Sequence, residues 1–253
     1  MNPLALRASA LLALLGPLAA LAGQPVDVEI LDRATGHILP VYWHEGERHV
    51  AGEPGHEYEI RIHNHGHGRM LAVTSVDGVN VITGRTASPD QSGYVVDAYR
   101  RLPIDGWRKS MDQIAAFYFT SLPDSYAART GRPDHVGVIG VALFREQIPY
   151  PLAYERESGP EPVPQARAER KSADSALGSY RDEARLGTGH GERRDSGATY
   201  THFVRATDDP EAIIRIFYDS HRNLVARGVI PRPNHRFARR VPEPFPQGFV
   251  PDP

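Results

Sequence analysis

Three histidines at alternate positions, His63, His65 and His67, stand in one short stretch of the 253-residue chain. If the strand that begins at Tyr58 runs on through them, all three project from one outer face, beside Arg61. Alternating imidazoles on one edge take Zn²⁺, Cu²⁺ or Ni²⁺. His44, His49 and His56 are available as supplements. The competing reading is an exposed polar turn. Gly66 and Gly68 loosen the geometry, and a metal site needs its ligands and their supporting partners together. Zn²⁺ or Cu²⁺ at this turn is the one cofactor expectation; no other cofactor is expected.

A second stretch, Gly187-Thr188-Gly189-His190-Gly191 followed by Glu192-Arg193-Arg194, has the composition of an anion cradle. Backbone amides around Gly189, with His190, Arg193 and Arg194, suit a phosphate or an anionic glycan. No apolar strand precedes it, and the lysine of a phosphate-binding loop is absent. A flexible connector is the plainer expectation.

Other catalytic patterns are thin. His44-Glu45-Gly46-Glu47-Arg48-His49 approaches a zinc-protease motif, but its histidines are five apart rather than four, and Gly46 discourages the helix the motif needs. The chain has no cysteine and no nucleophile elbow, and Ser92 has no sequence-defined base. Asp77, Asp90, Asp97 and Asp105 offer paired carboxylates, yet turn-forming aspartate explains each. Tyr42-Trp43 and Trp107-Arg108 offer stacking surfaces for a sugar or a peptide; core or rim packing is the expectation for each.

The elements that would position these residues read as short strands. Leu71 to Val76 and Val79 to Ile82 are rich in β-branched residues and are separated by Asp77-Gly78, the pair a two-residue hairpin loop prefers. Thr86 to Gly93 is a polar loop, and Tyr94 to Val96 a further strand. Val26 to Leu31 is a first strand. Leu39 to Trp43 is an edge strand, because Pro40 cannot donate to a ladder. Tyr58, Ile60 and Ile62 alternate inward against Glu59 and Arg61. Leu102 to Trp107 is a short strand interrupted by Pro103. Ile114 to Phe119 is a buried strand, Tyr126 to Thr130 a brief helical turn, and Val136 to Phe144 a central strand buried on both sides. Together these predict a mainly all-β antiparallel sandwich over residues 23–146.

Composition then shifts. Prolines from Pro149 to Pro164, followed by Arg, Glu, Ala and Ser, mark a linker over 147–196 that is disordered or partly helical. Tyr200 to Ala206, Ala212 to Tyr218 and Leu224 to Ile230 are expected as three strands within 197–231, too few to stand alone and so docked on the sandwich. The Pro-rich stretch 232–253 is expected as an extended tail.

Arg7, the apolar run Ala8 to Ala22 and the ending Ala20-Leu21-Ala22 read as a cleavable signal peptide over 1–22. The expected address is the periplasm, or secretion, with no stable membrane insertion after cleavage. Without cysteine, stability must come from core burial. A net charge of −2 excludes the basic stripe of a nucleic-acid binder. Partners expected on these grounds are an envelope protein or a glycan.

The phrases SVDGVNVITG, QSGYVV, GWRKS, FYFTSLPDSYAARTGRP, VGVIGVALF and LGTGHGERR together resemble a group of exported, β-rich proteobacterial proteins with no assigned activity. The resemblance covers Val26 to Glu146 and Leu186 to Ile230 and implies no mechanism. Three functions follow from the residues: a non-catalytic binding module of the cell envelope, a divalent-metal protein using the His63 turn, or a hydrolase whose groups meet only in three dimensions.

Overall fold

The computed structural model describes residues 25–148 and 185–232. The expected signal peptide, residues 149–184 of the expected linker and the tail from 233 lie outside the described residues. In chain order the strands are β1 (Val26–Asp32), β2 (His37–Ile38), β3 (Val41–His44), β4 (Glu47–Gly52), β5 (Tyr58–Asn64), β6 (Met70–Val76) and β7 (Val79–Asn80). They continue as β8 (Tyr94–Val96), β9 (Arg101–Ile104), β10 (Gly106–Arg108), β11 (Gln113–Ser121), β12 (Val138–Arg145), β13 (Leu186–Asp195) and β14 (Ala212–Ser220). Two short helices join them, α1 (Tyr126–Arg129) and α2 (His221–Ala226).

The chain is mainly β, as its alternation predicts. One sheet has the order β2-β1-β5-β9, a second β10-β11-β13, and a third β3-β4-β14-β12-β6, with β7 and β8 both beside β6. Every pair is antiparallel except β14 with β4, which is parallel. The first two sheets meet where Glu57 bridges Tyr118 and where the amides of Gly55 and Phe119 exchange bonds with Phe119 and His56. A single apolar core draws on all three sheets: Ile30, Tyr58, Ile60, Phe117, Phe119, Ile139 and Ile216 are among its fully enclosed members.

The Asp77-Gly78 hairpin forms as its residue types require. Asp77 (φ 52°) and Gly78 (φ 70°) both occupy the left-handed region that a tight two-residue turn demands. β7 is shorter than Val79 to Ile82, because the Asn80 side chain receives the amides of Ile82 and Thr83 and turns the chain. β3 is the outer strand of its sheet, as Pro40 indicates.

Beyond residue 185 the structure corrects the sequence reading. Leu186–Asp195, expected within the linker, is the long strand β13, laid along β11. Its glycines at 187, 189 and 191 alternate because large groups press on it. A Cβ at Gly189 would fall within the Tyr118 ring, and one at Gly191 would meet the Ala116 carbonyl at 2.9 Å. Ala212–Ser220 is a strand, but a central one between β4 and β12 rather than part of a separate unit. Tyr200 to Ala206 is not a strand; apart from the Glu146–Arg205 bridge it lies across the outer face of the large sheet, with Phe203 on Phe144 and its neighbours. Leu224 to Ile230 is not a strand either. The Ser220 hydroxyl accepts the Asn223 amide and caps α2, whose Leu224 packs with Val229 and Ile230.

Replacing Gly187 tests the close approach. A Cβ there would lie 2.5 Å from Ser125 Cβ and 2.7 Å from Val136 Cγ1. Gly187→Ala is expected to cost about 1–3 kcal/mol, read as a lower urea midpoint. Gly197→Ala, which meets open space, should leave the midpoint unchanged.

Candidate functional site

The chemistry-bearing residues fall into one buried cluster and three surface groups. The buried cluster centres on Asp77. Gly137 N (2.9 Å) and the Tyr218 hydroxyl (2.5 Å) donate to one carboxylate oxygen, and Thr188 N (2.8 Å) donates to the other. Thr188 Oγ1 lies 2.7 Å from the Tyr218 hydroxyl and 2.6 Å from the Tyr58 hydroxyl. An ionised carboxylate only accepts, so the proton directions follow: Tyr58 donates to Thr188, Thr188 to Tyr218, and Tyr218 to Asp77. Asp77 is 1 % exposed, Thr188 and Tyr58 0 %, and Tyr218 3 %. A substrate has no access to the cluster, and every polar side-chain atom in it has a partner.

Burial pushes the Asp77 carboxyl from its ordinary 3.8 up to about 6, while the Tyr218 hydroxyl and the amides of Thr188, Gly137 and Val138 act to lower it. Burial, then the Asp77 charge, raises both tyrosines well above their ordinary value. These shifts are those of an enclosed network holding strands together. Asp77 is thus the turn aspartate the sequence suggests and also an internal tether. Thr188 and Tyr218 were not indicated by sequence; the inward alternation of Tyr58 and the lone threonine among the glycines were the available signals.

The glycine-rich stretch does not cradle an anion with its backbone. Gly189 sits beneath Tyr118, and its carbonyl accepts the Trp107 indole N–H at 3.1 Å. Trp107 is buried, in line with core packing, and Arg108 lies over the Tyr94 ring. Arg194 is committed to Glu57 at 2.5 Å. His190 and Arg193 remain at the surface, with the His190 ring 5.6 Å from Tyr126.

The three turn histidines separate. β5 ends at Asn64, whose side chain is buried and donates to the carbonyls of Gly68, Val96 and Asp97. His63 and His65 lie with ring centroids 3.8 Å apart. His65 Nε2 is 2.8 Å from Asp27, a carboxylate brought by the β1–β5 register that sequence spacing does not reveal. His67 turns away to the Tyr99 hydroxyl. Partial desolvation, His65 and Arg101 hold the His63 imidazole below its ordinary value. Among the described residues no three His, Cys, Asp or Glu side chains gather in a metal-ligating arrangement. His44 and His49, 6.2 Å apart, also diverge in role: His49 is buried against Phe217.

The third surface group surrounds Trp43, for which the sequence suggests core or rim packing. Trp43 is 64 % exposed on β3, with Ile38 and Val41 each 41 % exposed nearby in sequence, and the Arg48 guanidinium 5.2 Å from its ring. Val41 and Trp43 share a face of β3. Among the described residues the other side of β3 pairs with no strand. No protein-family model, no curated protein and no solved structure matches the chain.

Asp77→Asn separates the buried charge from the turn, since Asn also tolerates the left-handed conformation. Its amide N–H₂ would face a donor whichever way it is placed, so a loss of about 1–3 kcal/mol is expected at pH 7. The folded carboxyl holds its proton to about pH 6, the unfolded one only to 3.8. The stabilisation from that retained proton is full below pH 3.8 and is lost as pH rises through about 6, a change of about 3 kcal/mol. Urea unfolding between pH 3.5 and 7 should show this contribution in the wild type and not in Asp77→Asn.

Proposed function

We propose that the protein is a non-catalytic binding module of the cell envelope, exported by its N-terminal signal and taking an extended segment of an envelope protein along β3. The observation that supports this is the β3 edge: a strand paired on one side only, carrying a largely exposed tryptophan and the half-exposed Val41, with Ile38 of β2 also half-exposed just before it in sequence. Such an edge offers a row of backbone donors and acceptors, with apolar side chains beside it to select a partner. Natural sheet edges are usually blunted by charge, a bulge or a cover. Here Pro40 limits the N-terminal end of the edge and the Glu45-Gly46 turn its far end, leaving Val41 to His44 open.

The internal polar groups support the same reading. Asp77, Thr188, Tyr58 and Tyr218, the residues with the most perturbed environments, are consumed in joining strands. A binding role needs only the surface.

A photo-crosslinking side chain at position 43, in the native host, is expected to give a discrete adduct that the same group at Arg85 does not. Val41→Ser in the position-43 protein should weaken that adduct markedly. Equal labelling at both positions, or none at 43, would refute the edge. Independently, protein recovered from the periplasmic fraction is expected to begin at Gly23; retention of Met1 would refute the address.

A further inference from the structure

An irregularity in β13 decides which charges share a surface. Ala115 and Phe117 are two apart on β11 and face the same side. Their partners across the ladder are Arg193 and His190. Residues three apart on a regular strand point to opposite sides, but the register shift between Ala115 and Phe117 inserts one extra residue and returns both to one side. Trp107 pairs with Ala115 and belongs to the same row. Lys109, two further on, donates its amide to the Gln113 carbonyl at 2.9 Å and continues that face. α1 covers this end of the sheet. Its Tyr126 ring lies 4.8 Å from Trp107 and 5.6 Å from His190, and Arg129 follows one turn later.

Lys109, Arg129, Arg193 and His190 are all exposed. Among the described residues the three cations form no salt bridge, whereas Arg69, Arg145, Arg194 and Arg215 each hold a glutamate. Burial, then the Lys109 charge, with Arg193 and Arg129 behind it, holds the His190 imidazole below its ordinary value. Positive charge from three elements is therefore focused on one ring.

We propose that this face binds a phosphate-class oxyanion, gripped by Lys109, Arg129 and Arg193 with His190 as a further hydrogen-bond partner. A tetrahedral dianion accepts several charge-assisted bonds at once and suits cations converging from different directions. The three cations act on a single imidazole, and the chain as a whole is slightly acidic, which favours a single anionic group over a polyanion. The site is distinct from β3 and stands or falls without it.

Two probes distinguish the sources of such a group. Isothermal titration of the full chain with inorganic phosphate tests the free ion. Co-sedimentation with phosphatidylglycerol vesicles, against phosphatidylcholine vesicles, tests a lipid headgroup. Binding in at least one arm is expected, weakened by about tenfold or more in Lys109→Gln/Arg129→Gln/Arg193→Gln and unchanged in Arg85→Gln. Because all three substituted side chains are exposed, the variant should fold, which its thermal melt checks. In the phosphate-bound protein the His190 ring protons should titrate at higher pH than in chloride of equal ionic strength. Binding that the triple variant retains, or no binding in either arm at millimolar concentration, overturns the proposal.

Discussion

The Asp77 carboxylate is held at the tip of the β6–β7 hairpin by groups that arrive from far along the chain. Gly137 precedes β12, Thr188 lies in β13 and Tyr218 in β14, while Tyr58 of β5 joins through the threonine. The Asp77 amide donates to the Val138 carbonyl at 2.8 Å. One charged group thereby touches, directly or through one hydroxyl, strands of all three sheets. Enclosing a carboxylate is costly unless every lone pair is met by a donor. That requirement permits little slippage: a one-residue shift of β13 would replace the Thr188 hydroxyl and turn its neighbours to the wrong face.

Packing around this tether pairs large rings with missing side chains. Tyr58 lies 4.4 Å from Phe119 and 5.4 Å from Phe117, both stacked. Phe119 occupies the space a side chain at Gly52 would take, and Tyr118 does the same at Gly189. Aromatic groups of this size bury much apolar surface, but only where the facing backbone can come close. The glycines of β13 serve that approach, which is why a stretch that looks like a loop in composition is a strand in the fold.

At the periphery, covering segments leave some surfaces closed and others open. Arg205 lies 4.0 Å over the Phe144 ring and Phe203 packs beside it, closing one part of the outer face of the large sheet. α2 closes another, with Leu224 and Val225 near Tyr42 and Ala51. No strand among the described residues pairs with the free side of β3. Most arginines whose contacts are described find a glutamate or a carbonyl; those around His190 do not. The β3 edge lacks a strand partner on one side, and the His190 face lacks charge compensation.

Sequence by itself determined the strand character of most of residues 26–146 and the Asp77-Gly78 turn, because period-two alternation and left-handed turn residues are local properties; it did not reveal β4, nor that Leu102 to Trp107 divides into β9 and β10 in different sheets. It also marked β3 as an edge, through a proline that cannot donate. It did not reveal β13, since alternating glycines carry no hydrophobic signal until a tyrosine 71 positions earlier is known to lie over them. Nor did it reveal α2, whose cap is a single serine after an apolar strand. It placed His63, His65 and His67 together, but only the fold sent His67 to Tyr99 and brought Asp27 to His65. The pairing of Asp77 with Thr188 and Tyr218, and the bulge that sets Arg193 beside His190, depend on contacts between residues tens to more than a hundred positions apart. Those were decided by tertiary structure, because only a completed ladder fixes which side of a strand each residue faces.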